Sequence, residues 1–173
     1  MNLPSIKDAR HRSKNKVSVY YDKYNIPESI EKIGKEKTYA LLTYGCQMNV
    51  HDSENISGIM EELMYTKVED YEKADVIILN TCAIRENAHN KVIGFLGRIK
   101  KLRETNKDII TIITGCMPQE EVVVNQILEK YKHIDLVFGT HNIYRLPELL
   151  NKVYLNKKSR CLIYLKQYRN ITI

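Results

Sequence analysis

The sequence predicts an α/β fold, a parallel sheet of flavodoxin-like or Rossmann-like type with helices on both faces. Two observations carry this. Short β-rich apolar runs alternate along the chain with longer stretches of helical periodicity, the pattern of strands joined by crossover helices. Two of the runs, residues 76–79 (VIIL) and 109–113 (IITII, with one Thr), are near-continuously apolar, as strands buried on both faces are.

The elements follow in order. Residues 38–43 (TYALLT) form a first strand that stops at Gly45. Asp52 and Ser53 are candidate caps for a helix carrying Ile56, Ile59, Met60 and Leu63. A weaker strand is expected at 66–68, and the connection 69–74 that follows is short for a full crossover helix. After strand 76–79, Ala88, Val92, Phe95, Ile99 and Leu102 mark a long helix with Arg98, Lys100, Lys101 and Arg103 around its stripe. Strand 109–113 leads to a third stripe of Val124, Ile127, Leu128 and Tyr131, with Pro118 at a first helical position. A strand at 134–138 and a helix over 143–150 complete the pattern. Flavodoxin-type winding gives strand order 2-1-3-4-5, with the switch point between strands 1 and 3.

Length and charge set the organisation. A chain of 173 residues fits one domain, residues 37–150, with a flexible basic lead-in (1–36) and a basic tail (151–173). No apolar run approaches the roughly 20 residues of a membrane span, and the basic start MNLPSIKDARHRSKNK lacks the apolar region of a secretory signal. A cytoplasmic, reducing compartment is therefore expected, in which thiols serve metals or chemistry. The net charge of +6 suggests nucleic acid, but its location argues otherwise. No acidic residue follows Glu148, and Lys152, Lys157, Lys158, Arg160, Lys166 and Arg169 account for the whole excess. The tail then reads as an arm for RNA phosphates or as a solvated end outside the sheet, the second being preferred.

Three of four cysteines occupy equivalent places. Cys46 follows strand 1 (TYGCQMN), Cys82 strand 3 (LNTCAIRE) and Cys116 strand 4 (ITGCMPQE). In the expected order these strands are neighbours roughly 4.8 Å apart, so segments far apart in sequence converge on the carboxyl edge, where open α/β sheets bind ligands. Gly45 and Gly115 permit sharp turns and close approach of a bulky ligand. Helices beginning after each cysteine favour thiolate and a negatively charged cluster. One buried cysteine is commonly a small hydrophobe, but three at one topological position point to a shared site. A disulfide would leave an odd thiol. A structural zinc ion usually takes four ligands, whereas three thiolates on an iron–sulfur cluster leave one iron open for chemistry. Zinc and free thiols stay open as a second reading, that of a non-catalytic binding module.

Other residues carry less. His51, His89 and His141 lie near strand ends but read as loop or helix-surface residues, and Cys161 lies in the tail. Asn49, Asn80 and Arg85 flank the cysteines, as ligand hydrogen-bonders or, for the asparagines, as caps. Gly94 and Gly97 sit within a helical stripe, and no phosphate-binding glycine motif is present.

The segments TYGCQMNVHDSE, ADVIILNTCAIRENA, ITGCMPQE and DLVFGTHNI resemble the N-terminal domain of the radical S-adenosylmethionine methylthiotransferases, over roughly residues 37–150. The wording around the cysteines is most similar to the branch modifying N6-isopentenyladenosine beside the tRNA anticodon. The branches modifying threonylcarbamoyl-adenosine or a ribosomal-protein aspartate use different residues around these cysteines, and the threonylcarbamoyl-adenosine branch stands as the alternative. The resemblance implies that Cys46, Cys82 and Cys116 hold an auxiliary [4Fe-4S] cluster that takes part in sulfur delivery. It further implies S-adenosylmethionine and a second [4Fe-4S] cluster on a CxxxCxxC motif of a following domain, whose radical chemistry installs a methylthio group at C2 of adenine. A sulfur donor, tRNA and the radical domain would be its partners. No CxxxCxxC occurs here, since only Cys161 follows Cys116. The expectation is a fragment, a truncated product or one part of a complex, inactive alone.

Overall fold

The computed structural model describes residues 26, 28, 30–82, 86–155 and 163–165. The strands are β1 (Thr38–Tyr44), β2 (Thr66–Lys67), β3 (Val76–Thr81), β4 (Ile110–Gly115), β5 (Leu136–Phe138) and β6 (Ile163–Leu165). The helices are α1 (Gln47–Glu62), α2 (Glu86–Thr105), α3 (Glu121–Lys130) and α4 (Leu146–Leu155). All strands pair in parallel in the order β2-β1-β3-β4-β5-β6, as the α/β winding requires, with β6 added at the far edge.

Period-two alternation divides the sheet into two apolar layers. Tyr39, Val76, Ile78, Ile110, Ile112, Leu136 and Phe138 pack against Ile56 and Met60 of α1 and Leu146, Leu149, Leu150 and Val153 of α4. The intervening Ala40, Ile77, Leu79, Ile113 and Val137 face Val92, Phe95, Leu96 and Ile99 of α2 and Ile127 of α3. β3 and β4 are buried along their whole length, which is why their sequences lack polar alternation. Each large aliphatic side chain taken from water here contributes about 1.5–3 kcal/mol. An ion pair ties α2 to the sheet: Arg103 meets Asp135 at 3.0 Å, and Asp135 accepts the Thr111 amide at 2.8 Å.

The short link between β2 and β3 has a geometric explanation. Tyr39 stands in register with both Lys67 and Val76, so the chain passes beneath the amino end of β1 without returning along the height of the sheet. A single 3₁₀ turn, Tyr71–Lys73, suffices.

Several expectations are corrected. Asp52 and Ser53 lie inside α1, which begins at Gln47 with Cys46 as its N-cap, because Asn49 satisfies the Cys46 amide earlier in the chain. Pro118 is the second residue of a 3₁₀ turn, Met117–Gln119, and α3 starts only at Glu121. The turns over residues 30–36, placed in the lead-in, dock on the domain: Ile30 is buried and the Gly34 amide donates to the Leu63 carbonyl at 2.9 Å. Ile163–Leu165, expected outside the sheet, pairs with Leu136–Phe138 as β6.

Candidate functional site

Tyr44, Thr81 and Gly115 form one register row across β1, β3 and β4. The next amides close the ladder: Cys82 N–H donates to the Tyr44 carbonyl and Cys116 N–H to the Thr81 carbonyl, each at 2.9 Å. Cys82 and Cys116 are thus the first residues past the row, and Cys46 is one further because Gly45 intervenes. The three predicted cysteines emerge at one edge of three adjacent strands.

Two glycines make this edge compact. A Cβ on Gly45 would lie 2.1 Å from Asn49 Oδ1 and 3.0 Å from the Cys82 Cβ. Gly115 has φ +103°, and a Cβ there would meet the Thr81 carbonyl at 2.3 Å, so both spatial and backbone requirements exclude a side chain.

Beneath the cysteines lies a polar scaffold built on two fully buried asparagines and reaching the surface through Ser53 and Thr43. Asn49 Oδ1 accepts the Cys46 amide at 3.1 Å, while its Nδ2 donates to Asn80 Oδ1 at 3.1 Å and to the Thr81 carbonyl at 3.3 Å. Asn80 Nδ2 donates back to the Asn49 carbonyl at 2.8 Å and to Ser53 Oγ at 2.9 Å. Ser53 Oγ lies 2.7 Å from Thr43 Oγ1. The asparagines therefore position the cysteine-bearing turns; Asn49, the third residue of α1, completes the cap by accepting the Cys46 amide, whereas Asn80 makes no capping bond among the described residues.

The thiols are electrostatically inequivalent. Amides at the start of α1, Asn49 first and then Met48, hold the Cys46 thiol below the ordinary range, and the Cys82 thiol adds a hydrogen bond. Cys116 moves upward, through burial first and then the charges of Cys82, Asp52 and Cys46. The sulfurs thus sense one another and one carboxylate. Asp52 was not foreseen as a site neighbour. Its own carboxyl is raised by burial, with His51 and His141 opposing that rise. The signal was available: Asn49, Asp52, Ser53, Ile56 and Met60 lie at helical spacings of three and four, so the apolar stripe of α1 continues toward the edge as a polar one.

The remaining candidates separate. His51 is exposed, with its Nδ1 3.7 Å from Glu54, and His141 is exposed in the turn Thr140–Arg145. Arg85, Cys161 and the side chain of His89 lie outside the described residues. Gly94 and Gly97 are on α2, with open space where a Cβ would stand. Among the described residues, no three His, Cys, Asp or Glu side chains converge closely enough to hold a single metal ion. No described helix is long and apolar enough to cross a membrane.

Fold and edge together define a class: an open, all-parallel α/β domain presenting cysteines from three neighbouring strand ends. Within that class, residues 38–139 match the uncharacterized protein family UPF0004, and the chain belongs to it. The tRNA-2-methylthio-N(6)-dimethylallyladenosine synthase of Oceanobacillus iheyensis is 52% identical over 155 residues, covering 90% of this chain and 30% of that protein. Proteins of the same name from Staphylococcus saprophyticus and Bacillus subtilis are 51% and 50% identical, with 89% and 90% of this chain covered. The chain spans about 30% of the length of these relatives. The resemblance drawn from the four motif segments is borne out by them.

Proposed function

We propose that this domain is the sulfur-delivering part of a tRNA methylthiotransferase acting at C2 of N6-isopentenyladenosine, the dimethylallyladenosine of the relatives' name, with Cys46, Cys82 and Cys116 holding a [4Fe-4S] cluster. The observation that carries the reading is the shared register row, which sets three thiols on three adjacent strand ends. The donor set fits such a group: three sulfurs, glycines that leave the backbone close to whatever binds, and helix-start amides facing Cys46. A single zinc ion is served less well, since its ligands must converge on one point. When bound, the cluster supplies an iron with an open position for sulfur.

The chain's own residues perform the supporting tasks. Amides of Met48 and Asn49 favour the Cys46 thiolate. Cys116, raised by burial and neighbouring charge, gives up its proton as metal arrives, since ligation requires thiolate. The Asn49–Asn80 pair fixes the spacing between the turns after β1 and β3, and Gly115 the exit of β4. In this reading, reductive cleavage of S-adenosylmethionine belongs to a CxxxCxxC cluster, a motif that does not occur in these 173 residues. tRNA, a sulfur donor and a radical domain are the partners of this reading, in the cytoplasm.

The test is anaerobic reconstitution followed by iron and sulfide analysis. About four irons and four sulfides per chain are expected, falling to background in the variant combining Cys46→Ala, Cys82→Ala and Cys116→Ala. Stoichiometric iron retained by that variant refutes the site.

A further inference from the structure

We infer that the outer face of α2 is an RNA-docking surface leading to the cysteine edge. Only the identity of the polyanion rests on the functional reading above; the surface itself stands on charge and shape.

The domain's near-neutral sum conceals a segregation of charge by the sheet. α1 carries Asp52, Glu54, Glu61 and Glu62 and no lysine or arginine. α2, on the opposite apolar layer, carries five Lys and Arg against two Glu. The α1 surface therefore repels a polyanion and the α2 surface attracts it.

The basic face is shaped as well as charged. Lys91, Arg98 and Lys101 recur at spacings of seven and three, so they share one stripe that spans about 15 Å of helix axis. They are exposed, and none makes an ion pair among the described residues. Arg103 differs, being committed to Asp135. Two grooves of about 340 Å³ each run beside this stripe. Tyr44, Lys91, Phe95 and Arg98 line the first, and Arg98, Lys101 and Tyr71 continue into the second, which also holds one carboxylate, Glu72. Phe95 sits between the tyrosines, 6.4 Å from the Tyr44 ring and 4.7 Å edge-on to Tyr71. Gly94 leaves the first groove open where a side chain would fill it.

Phe95 is buried and backs the half-buried rings of Tyr44 and Tyr71, so cations alternate with two partly exposed rings; this suits single-stranded RNA, whose phosphates pair with the former and whose unstacked bases lie on the latter. An acidic polypeptide would use the charge but not the rings. Position completes the argument: Tyr44 belongs to the register row from which Cys82 and Cys116 emerge, and it stands two residues before Cys46. A loop seated on α2 is delivered to the thiol edge.

The experiment measures binding of a fluorescent RNA stem-loop to the whole 173-residue chain across a salt series. Combining Lys91→Ala, Arg98→Ala and Lys101→Ala should weaken binding at least tenfold near 0.1 M salt. The slope of log K against log salt should fall by about 2, at roughly 0.7–0.9 per phosphate contact. Lys91→Arg with Lys101→Arg should bind as wild type. Unchanged affinity in the triple alanine variant, absence of RNA binding by the wild type, or equal competition by polyglutamate overturns the surface. Iron content is measured on the same samples: a wild type that binds RNA but no iron sinks the cluster reading and leaves this surface standing, and the reverse result does the opposite.

Discussion

Asn49 and Asn80 are joined reciprocally: Asn49 Nδ2 donates to Asn80 Oδ1 at 3.1 Å, and Asn80 Nδ2 donates to the Asn49 carbonyl at 2.8 Å. Both are fully buried. Through them the N-cap turn bearing Cys46 is fastened to the strand that ends at Cys82, so the thiol spacing is set by hydrogen bonds rather than by loop packing.

Asn49→Ala should lower stability by about 2–4 kcal/mol. The change removes the acceptor for the Cys46 amide, typically worth about 1 kcal/mol at an N-cap. It also strips Asn80 Oδ1 of its donor, at roughly 1–3 kcal/mol for a buried unsatisfied group. Asn49→Asp keeps the acceptor but sets a carboxylate against Asn80 Oδ1 and the Thr81 carbonyl, so it should rescue little. Urea unfolding of the metal-free chain checks both; a loss below 1 kcal/mol for the alanine variant would show the network to be dispensable.

Gly115→Ala combines a left-handed backbone at φ +103° with a Cβ 2.3 Å from the Thr81 carbonyl. Relief requires moving the end of β4, and Cys116 with it. The expected cost is about 2 kcal/mol or more, together with reduced iron loading. Wild-type melting and full iron content would show that β4 ends less tightly than described.

Most of this architecture was legible because its signals are local. The predominantly apolar runs at the start of β3 and β4 declare their double burial, and the cysteines announce themselves by following strands. What escaped depends on contacts distant in sequence. Cys46 is an improbable cap by residue type, and only the buried Asn49 beside Asn80 makes it one, so Asp52 and Ser53 looked like the helix start. The cations of α2 were visible, but their segregation was not: a sum over the whole domain cancels them against α1, and only the sheet between them keeps the two apart.

Chain truncation tests the sixth strand. Removing residues 161–173 uncovers the edge of β5, whose Leu136, Val137 and Phe138 are fully buried. A melting temperature lower by about 3–8 °C is expected, corresponding to roughly 1–2 kcal/mol. Iron loading should persist, since β6 lies two strands beyond β4 and Cys116. An unchanged melting temperature would mean that β6 adds nothing to the sheet.

The last prediction concerns thiol reactivity in the metal-free chain. Cys46 is partly exposed at the start of α1, where amides of Asn49 and Met48 favour its thiolate. Cys116 is also partly exposed, but burial and the charges of Cys82 and Asp52 hold its thiol above the ordinary range. Cys82 is only 3% exposed, so access limits it whatever its protonation. Because the thiolate is the nucleophile, iodoacetamide at neutral pH should modify Cys46 first, Cys116 more slowly and Cys82 last. Raising the pH should narrow the gap between Cys46 and Cys116, since a lowered thiol nears full ionisation at a lower pH than a raised one, which goes on gaining thiolate. Peptide mapping by mass spectrometry, on a Cys161→Ser background that leaves only the three edge thiols, follows each rate. Reconstituted protein should protect all three together, because one bound group would occupy them jointly. Modification of Cys82 ahead of Cys46 would contradict the described edge, and protection of only one or two thiols after loading would contradict the shared site.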